Sequence, residues 1–144
     1  MEKGLFGSYY VTPTATAVRR AWGLCRGSMS DYQRIRRHGL KLAHWPSGAE
    51  DPAAHMDLDW DWVRTLEDIR VGELRIDEEI AGHRNLRIIF FKANVVLPSD
   101  PMPRIWPLTV FPKKRQDFSQ GQIRAWKGRR NLVVVRTYGG NPLA

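Results

Sequence analysis

The spacing of apolar residues follows a helical period in the first third of the chain. From Thr14 onward they recur every three or four positions, which predicts an amphipathic helix that ends at Gly27. Ser30 is a suitable N-cap for a second helix, and Pro46 ends any helical continuation. The predicted apolar stripes consist of Ala17, Val18, Ala21, Trp22 and Cys25 in the first helix and of Tyr32, Ile35 and Leu40 in the second.

Three other segments of this half have less regular patterns. Residues 5–11 predict a short strand, and residues 45–56, with two prolines and a glycine, have the composition of a loop. Between residues 57 and 68, aspartates alternate with leucine and tryptophan, a pattern typical of either a strand or an acidic helix start. We expect a short helix or turn in this last segment.

From Ile69 the apolar period changes to two, which predicts β-strands. An irregularity is expected near Gly72, and Pro107 indicates an edge or a bulge. Strands are predicted over residues 69–80, 86–91, 104–111 and 132–135, with a hairpin loop at 82–85 and a proline-rich loop at 95–103.

A late helix interrupts this series of strands. Ser119 is a suitable N-cap, Ile123 and Trp126 share a face, and Gly128 is expected to end the helix, which predicts its span as residues 120–127. The order predicts the α+β class: N-terminal helices followed by a small antiparallel β-sheet with a late C-terminal helix. We expect a single domain over residues 1–144, with a helical part at 1–60 and a sheet part at 69–136.

Charge is unevenly distributed along the 144 residues. Residues 81–144 contain 12 Lys and Arg against 2 Asp and Glu, whereas residues 1–80 contain 11 against 13. The formal net charge of +8 therefore arises in the second half, in and between the predicted strands. Cations on a sheet suit a polyanion that lies across it, and RNA is the first candidate.

Composition and motif content exclude several kinds of site. The single cysteine, Cys25, excludes an internal disulfide and a cysteine-based zinc site, and its place on an apolar helix face predicts a buried thiol. The nucleophile elbow, the P-loop and the zinc-protease helix are absent. No apolar run approaches the length of a membrane span and no secretory signal is recognised. We expect a cytoplasmic protein with no metal or small-molecule cofactor.

The cations of the predicted strands have a spacing that can bring them together. Arg75 and Arg87 each lie between two apolar strand residues, so both can point to one open face if their strands pair. Lys113, Lys114 and Arg115 follow the third strand and would join them at that face. Such a cluster would form a phosphate clamp, which can bind RNA or, by stabilising a phosphorane, cut it without metal.

Cleavage also needs a base for the 2′-hydroxyl and a proton for the 5′-oxygen. A lysine crowded by like charges, His83, or the carboxylates Glu73, Glu78 and Glu79 could serve. His83 is more simply a polar loop residue, and the glutamates are more simply solvated surface groups. The nuclease hypothesis requires that the cations meet at one solvent-exposed patch and are not held by internal carboxylates.

Four short motifs follow one another in this half: ELR at residues 73–75, RIIFF at 87–91, FPKK at 111–114 and I-x-A at 123–125. In order and spacing they resemble the motifs of the RelE/ParE toxin superfamily, and most closely those of its HigB-like, phage-derived group. The resemblance covers roughly residues 71–130. It implies the toxin of a type II toxin–antitoxin system that cleaves mRNA on the ribosome without metal. It also implies a helix-turn-helix antitoxin as partner, besides the ribosome and mRNA.

Specific residues follow from this resemblance and from charge. The catalytic candidates are Arg75, Arg87, Lys113 and Lys114. The further RNA-binding candidates are Arg115, Lys92, Arg124 and Lys127. An antitoxin segment is expected to cover Arg75, Arg87 and Lys113. Two alternatives stay open, because ParE-like relatives act on gyrase and because a related protein can bind RNA or a partner without catalysis.

Overall fold

A computed structural model of the chain describes residues 8–46 and 58–144. Within these residues the helices are α1 (Ala15–Cys25), α2 (Met29–Leu40) and α3 (Gln120–Tyr138), with 3₁₀ helices at Lys41–His44 and Arg64–Ile69. The strands are β1 (Tyr10–Val11), β2 (Trp60–Trp62), β3 (Val71–Ile76), β4 (Leu86–Lys92) and β5 (Arg104–Pro112). The predicted α+β class is confirmed, with N-terminal helices, a mostly antiparallel sheet and a C-terminal helix. None of the described helices combines the length and apolar content that crossing a bilayer requires.

The strands form one sheet in the order β1-β5-β4-β3-β2, in which only the β1–β5 pairing is parallel. One face packs against α1 and α2, and its buried residues include Leu74, Ile88 and Phe90. The other face, the α3 face, packs against α3 and includes Val71, Ile89, Phe91 and Leu108. Because side chains alternate along a strand, each of the central strands β3 and β4 supplies both cores.

The two N-terminal helices begin at side-chain caps. The Oγ1 of Thr14 accepts a hydrogen bond from the backbone N–H of Ala17, and the Oγ of Ser28 accepts one from Asp31. The second helix therefore begins at Met29, because Ser28 rather than the predicted Ser30 is its cap. Cys25 is buried, as its apolar helix face predicts.

Several predicted boundaries in the first half differ from the observed ones. Residues 5–7 of the predicted strand and residues 47–56 of the predicted loop lie outside the described residues, and only Tyr10–Val11 is strand. The helix or turn expected over residues 57–68 is wrong for its first part, since Trp60–Trp62 pairs with β3, and a 3₁₀ helix follows at Arg64–Ile69. The rings of Trp60 and Trp62 contact Trp45, with centroids 5.0 and 5.8 Å from its own.

The predicted irregularity near Gly72 is absent from β3, which ends at Ile76 and not at residue 80. The register shift lies instead between Ile89 and Phe90, opposite Pro107 of β5. The bulge alternative for Pro107 is therefore the observed one, because β5 lies between β1 and β4 and is not an edge.

The late helix is longer than predicted and includes the segment expected as a last strand. It continues through Gly128 and residues 132–135 to Tyr138, and Gly139, with φ 62°, ends it. Glycine in a helix interior costs about 1 kcal/mol. This cost is offset because Trp126, Val133, Val134 and Tyr138 bury one side of the helix against the α3 face.

Helix α2 is tied to the loop between β3 and β4 by a small polar network. The Nε2 of His38 lies 2.8 Å from the Oε1 of Glu78, and Arg34 donates to Glu78 and to the carbonyl of Glu79. The hydrogen bond from His38, followed by the one from Arg34, lowers the pKa of Glu78 despite some burial. Ionised Glu78 therefore holds α2 against this loop.

This network predicts an acid-dependent loss of stability. Since the pKa of Glu78 is lower in the folded chain, its contribution is present above the unfolded pKa of about 4.3 and disappears as pH falls through the folded value. Glu78→Gln should therefore lower the urea midpoint at pH 7 and lower it by less at pH 3. Glu67→Gln, at an exposed carboxylate, is the control, and an equal effect of Glu78→Gln at both pH values would contradict the assignment.

Candidate RNA-cleaving site

The predicted cations of the central strands do share one face. Arg75 and Arg87 are direct cross-strand partners of β3 and β4, and Arg87 is also opposite Phe111 of β5. All three lie on the α3 face, because they alternate with residues of the opposite core. Helix α3 packs on this face too, and its Trp126 contacts Phe111 with ring centroids 5.4 Å apart.

Both arginines are paired with carboxylates, which differs from the free cluster that the sequence hypothesis required. The Nε of Arg87 donates to the Oε1 of Glu73 at 3.0 Å, and these side chains are only 12% and 8% exposed. Arg75 donates to Asp59 at 2.9 Å near the surface. Neither guanidinium is therefore a free phosphate ligand in this structure, and Arg87 is held in place by a buried partner.

Lys113 approaches the same area from the end of β5. Its backbone N–H donates to the carbonyl of Asn85 at 2.9 Å, which fixes it beside the β3–β4 loop. Its Nζ lies 4.6 Å from the centroid of the Phe118 ring, a cation–π contact. Phe118 packs against Trp126 of α3, so the lysine is positioned by the start of the late helix. A capping box at Ser119 and Gln122 defines that start.

Glu73 and Lys113 line one cleft of about 300 Å³ between the sheet and the start of α3. The cleft contains charges of both signs, since Asp61, Arg64 and Asp117 also line it. Asp61 is the cross-strand partner of Glu73. The carboxylates of the cleft repel a phosphate, whereas a carboxylate positioned beside a cation can serve as a general base.

The remaining members of the basic cluster lie next to this cleft. Lys114 and Arg115 are exposed and line an adjoining cavity of about 430 Å³, which shares Lys113 and Phe118 with the cleft. Neither residue forms an ion pair with the part of the chain that the structure describes. Within the basic cluster at residues 113–115, they are therefore the cations most available to an RNA backbone.

The structure does not bring the other predicted RNA-binding residues into the cleft. Lys92 lies on the opposite sheet face, where its Nζ is 5.5 Å from the Trp45 ring and donates to Asn94. Burial, with a smaller effect of Arg70, lowers the pKa of Lys92. Arg124 and Lys127 are exposed on α3 and do not line the cleft, although Lys127 is one turn beyond Ile123, which does.

The residue that sequence reasoning undervalued is Glu73. It was expected as a solvated carboxylate, yet it is 6% exposed and shares a face with Arg75 two residues later. The alternation of side chains along β3 predicts that Glu73 lies on the same sheet face as Arg75. The burial of Glu73 depends on β2, which was not predicted as a strand. His83 instead takes part in a backbone bridge with Ile80 in the loop after β3.

Within residues 8–46 and 58–144, no three His, Cys, Asp or Glu side chains are grouped so that they could hold a metal ion. Comparisons of the chain with protein-family models, curated proteins and solved structures find no match. Function is therefore inferred from the geometry of the cleft and from the sequence motifs.

Proposed function

We propose that this chain is the toxin of a toxin–antitoxin pair and that it cleaves mRNA on the ribosome without a metal ion. The observation that carries the proposal is that Glu73, which is paired with Arg87, lines one cleft with Lys113, beside the exposed cations Lys114 and Arg115. The resemblance of residues 71–130 to RelE-like, HigB-like toxins supports the same function and suggests a cytoplasmic protein with a helix-turn-helix antitoxin.

Because Arg75 and Arg87 are held by carboxylates, the condition of a free cation cluster is not met, and the arginine clamp that the sequence suggested is replaced here by a different chemistry. Arg87 cannot act as a free clamp while Glu73 holds it, so we assign the base to Glu73 and electrostatic stabilisation to Arg87 and Lys113. The 2′-oxygen forms a bond to phosphorus as Glu73 accepts its proton. The bond from phosphorus to the 5′-oxygen breaks, and Lys113 supplies the proton to that leaving oxygen. The products are a 2′,3′-cyclic phosphate and a 5′-hydroxyl.

Lys114 and Arg115 have a separate role in this proposal, which is to hold the RNA backbone. Each phosphate contact adds about 0.7 to the salt dependence of binding to a single strand. The double variant Lys114→Ala and Arg115→Ala should therefore bind RNA more weakly and lower the slope of log K against log salt by about 1.4. Fluorescence anisotropy with labelled RNA over a salt series measures both quantities.

A matched control for this binding experiment exists on the opposite side of the sheet. Arg19 and Arg20 are exposed on α1, so replacing both by alanine changes the net charge by the same amount. The control should leave the slope nearly unchanged. Equal slopes for the two double variants would show that binding follows net charge alone and would contradict the assigned surface.

The function itself is tested by inducing the chain in bacteria and mapping mRNA 5′ ends. We expect growth arrest with new ends inside translated reading frames, and loss of both effects in Glu73→Gln. DNA damage with intact mRNA would instead indicate a gyrase-directed toxin.

A second candidate function, RNA or partner binding without catalysis, is favoured by the carboxylate pairing of Arg75 and Arg87. It predicts salt-sensitive binding with no cleavage when ribosomes are present.

A further inference from the structure

A second concave surface lies on the sheet face that α1 and α2 cover, opposite the cleft. It is an apolar groove between these helices and β5, with a cavity of about 140 Å³. We call it the helix groove, and its apolar lining includes Ala17, Val18, Ala21, Tyr32, Ile35 and Val110. The cavity is close in volume to an engineered one of about 150 Å³ that stays dry and accepts benzene. One aliphatic or aromatic side chain would therefore fill it.

The apolar surface continues out of the groove to solvent. Val18 at its wall is 38% exposed, and Trp22, one turn further along α1, is 41% exposed. The ring of Trp22 lies 5.6 Å from that of Tyr32, so the apolar area bridges the two helices. Anchoring pockets next to exposed aromatic side chains are typical of protein–protein interfaces.

The charge around the groove defines the partner that fits it. Residues 15–40 contain six arginines and one acidic residue, Asp31, which is paired with Arg34. Arg36 lines the groove, is exposed, and forms no ion pair with the residues described, 8–46 and 58–144. A segment that enters this groove and also carries carboxylates would satisfy both the apolar pocket and these guanidinium groups.

We infer that the helix groove binds an acidic amphipathic helix of a partner protein, with one large apolar residue anchored between α1 and α2. A groove between two helices suits a helix whose anchors recur every three or four residues. Because the sheet separates this groove from Glu73 and Lys113, the partner binds without covering the cleft. This arrangement differs from an antitoxin that lies over Arg75, Arg87 and Lys113, and it does not depend on RNA cleavage.

The test uses the full-length protein, labelled for NMR, and designed helical peptides with identical leucine anchors. Glutamate, glutamine or lysine occupies the flanking positions in the different peptides. We expect saturable shifts of the amides of Ala17, Val18 and Gly39, with affinity in the order glutamate, glutamine, lysine. Arg36→Glu should weaken binding of the glutamate peptide about tenfold. Val18→Asp, at a partly exposed position, should abolish it.

Val135→Asp is the matched control, because Val135 is 62% exposed on α3 and remote from the groove. It should bind the glutamate peptide like the unchanged protein. No saturable shift, an equal affinity of all peptides, or shifts centred on Lys113 would overturn the inference. Contacts of Leu5 or Phe6 with Val18 in the free protein would also overturn it, in favour of the chain's own N-terminal residues. Self-association that Val18→Asp abolishes would overturn it in favour of a second copy.

Discussion

Replacing Glu73 by glutamine should reduce RNA cleavage by at least about 100-fold, the lower end of what a general base contributes. Glutamine has nearly the same shape, and its carbonyl oxygen can still accept the hydrogen bond from Arg87. It cannot accept the proton of the 2′-hydroxyl. The rate of cleavage of a defined mRNA on purified ribosomes, measured in a single turnover, gives this effect directly.

The affinity for RNA and the stability of the fold distinguish this loss from a structural one. Glu73→Gln removes a negative charge from the cleft, so RNA binding should stay equal or become tighter. Glu67→Gln, at an exposed position of the 3₁₀ helix before β3, should retain full activity. A Glu73→Gln protein that cleaves within threefold of the unchanged rate would exclude Glu73 as the base, whatever its affinity.

Gly72→Ala should destabilise the protein by about 1–3 kcal/mol, the range for overpacking a filled core. A Cβ at this position would lie 2.6 Å from the Cζ of Phe90 and 3.0 Å from the carbonyl oxygen of Asp61. Phe90 is fully buried, and the Asp61 carbonyl belongs to the neighbouring strand β2, so neither can move aside freely. Urea unfolding followed by circular dichroism measures the change in free energy.

The same substitution at Gly128 is the control and should have the opposite sign. No atom outside the helix's own neighbouring backbone lies within 4 Å of a Cβ at Gly128, which is exposed in α3. Alanine there should stabilise the protein by about 0.5–1 kcal/mol, since glycine has the lower helix propensity. Destabilisation by Gly128→Ala, or no change on Gly72→Ala, would contradict the packing described.

The parts of the fold that periodicity predicts well are those whose residues bury one regular face. The stripes of α1 and α2 and the alternation of β3 and β4 each follow one period over several residues. The strand Trp60–Trp62 was one of two alternatives for its segment and was not the one chosen, because a three-residue strand has too short a pattern to decide between them. The second half of α3 was missed because Gly128 and a β-branched run favour other structures locally, while burial against the sheet outweighs both.

The candidate site was predicted in part for a related reason. Strand alternation places Arg75 and Arg87 on one face, and the end of β5 places Lys113 at the cleft that Glu73 lines. The ion pairs could not be predicted, because Asp59 and Glu73 reach these arginines through cross-strand neighbours that the sequence separates by up to sixteen positions. Lys92 is two residues from Phe90 on β4, so the two side chains lie on the same sheet face, opposite the cleft. Lys92 was chosen for its charge alone, without regard to this alternation.

The strands at the two sides of the sheet have a consequence for how this protein behaves at high concentration. β1 has two residues and β2 has three, and Asp61 adds a charge to the second. Long unpaired backbone edges recruit further strands and promote fibrils, whereas short charged ones do not. Among the described strands, β4 is paired on both sides, β3 pairs with β2 at residues 72–74, and β5 pairs with β1 at residues 104–105 and also packs against α1. The folded protein should therefore resist ordered aggregation, and any aggregation should follow the fraction of unfolded chains.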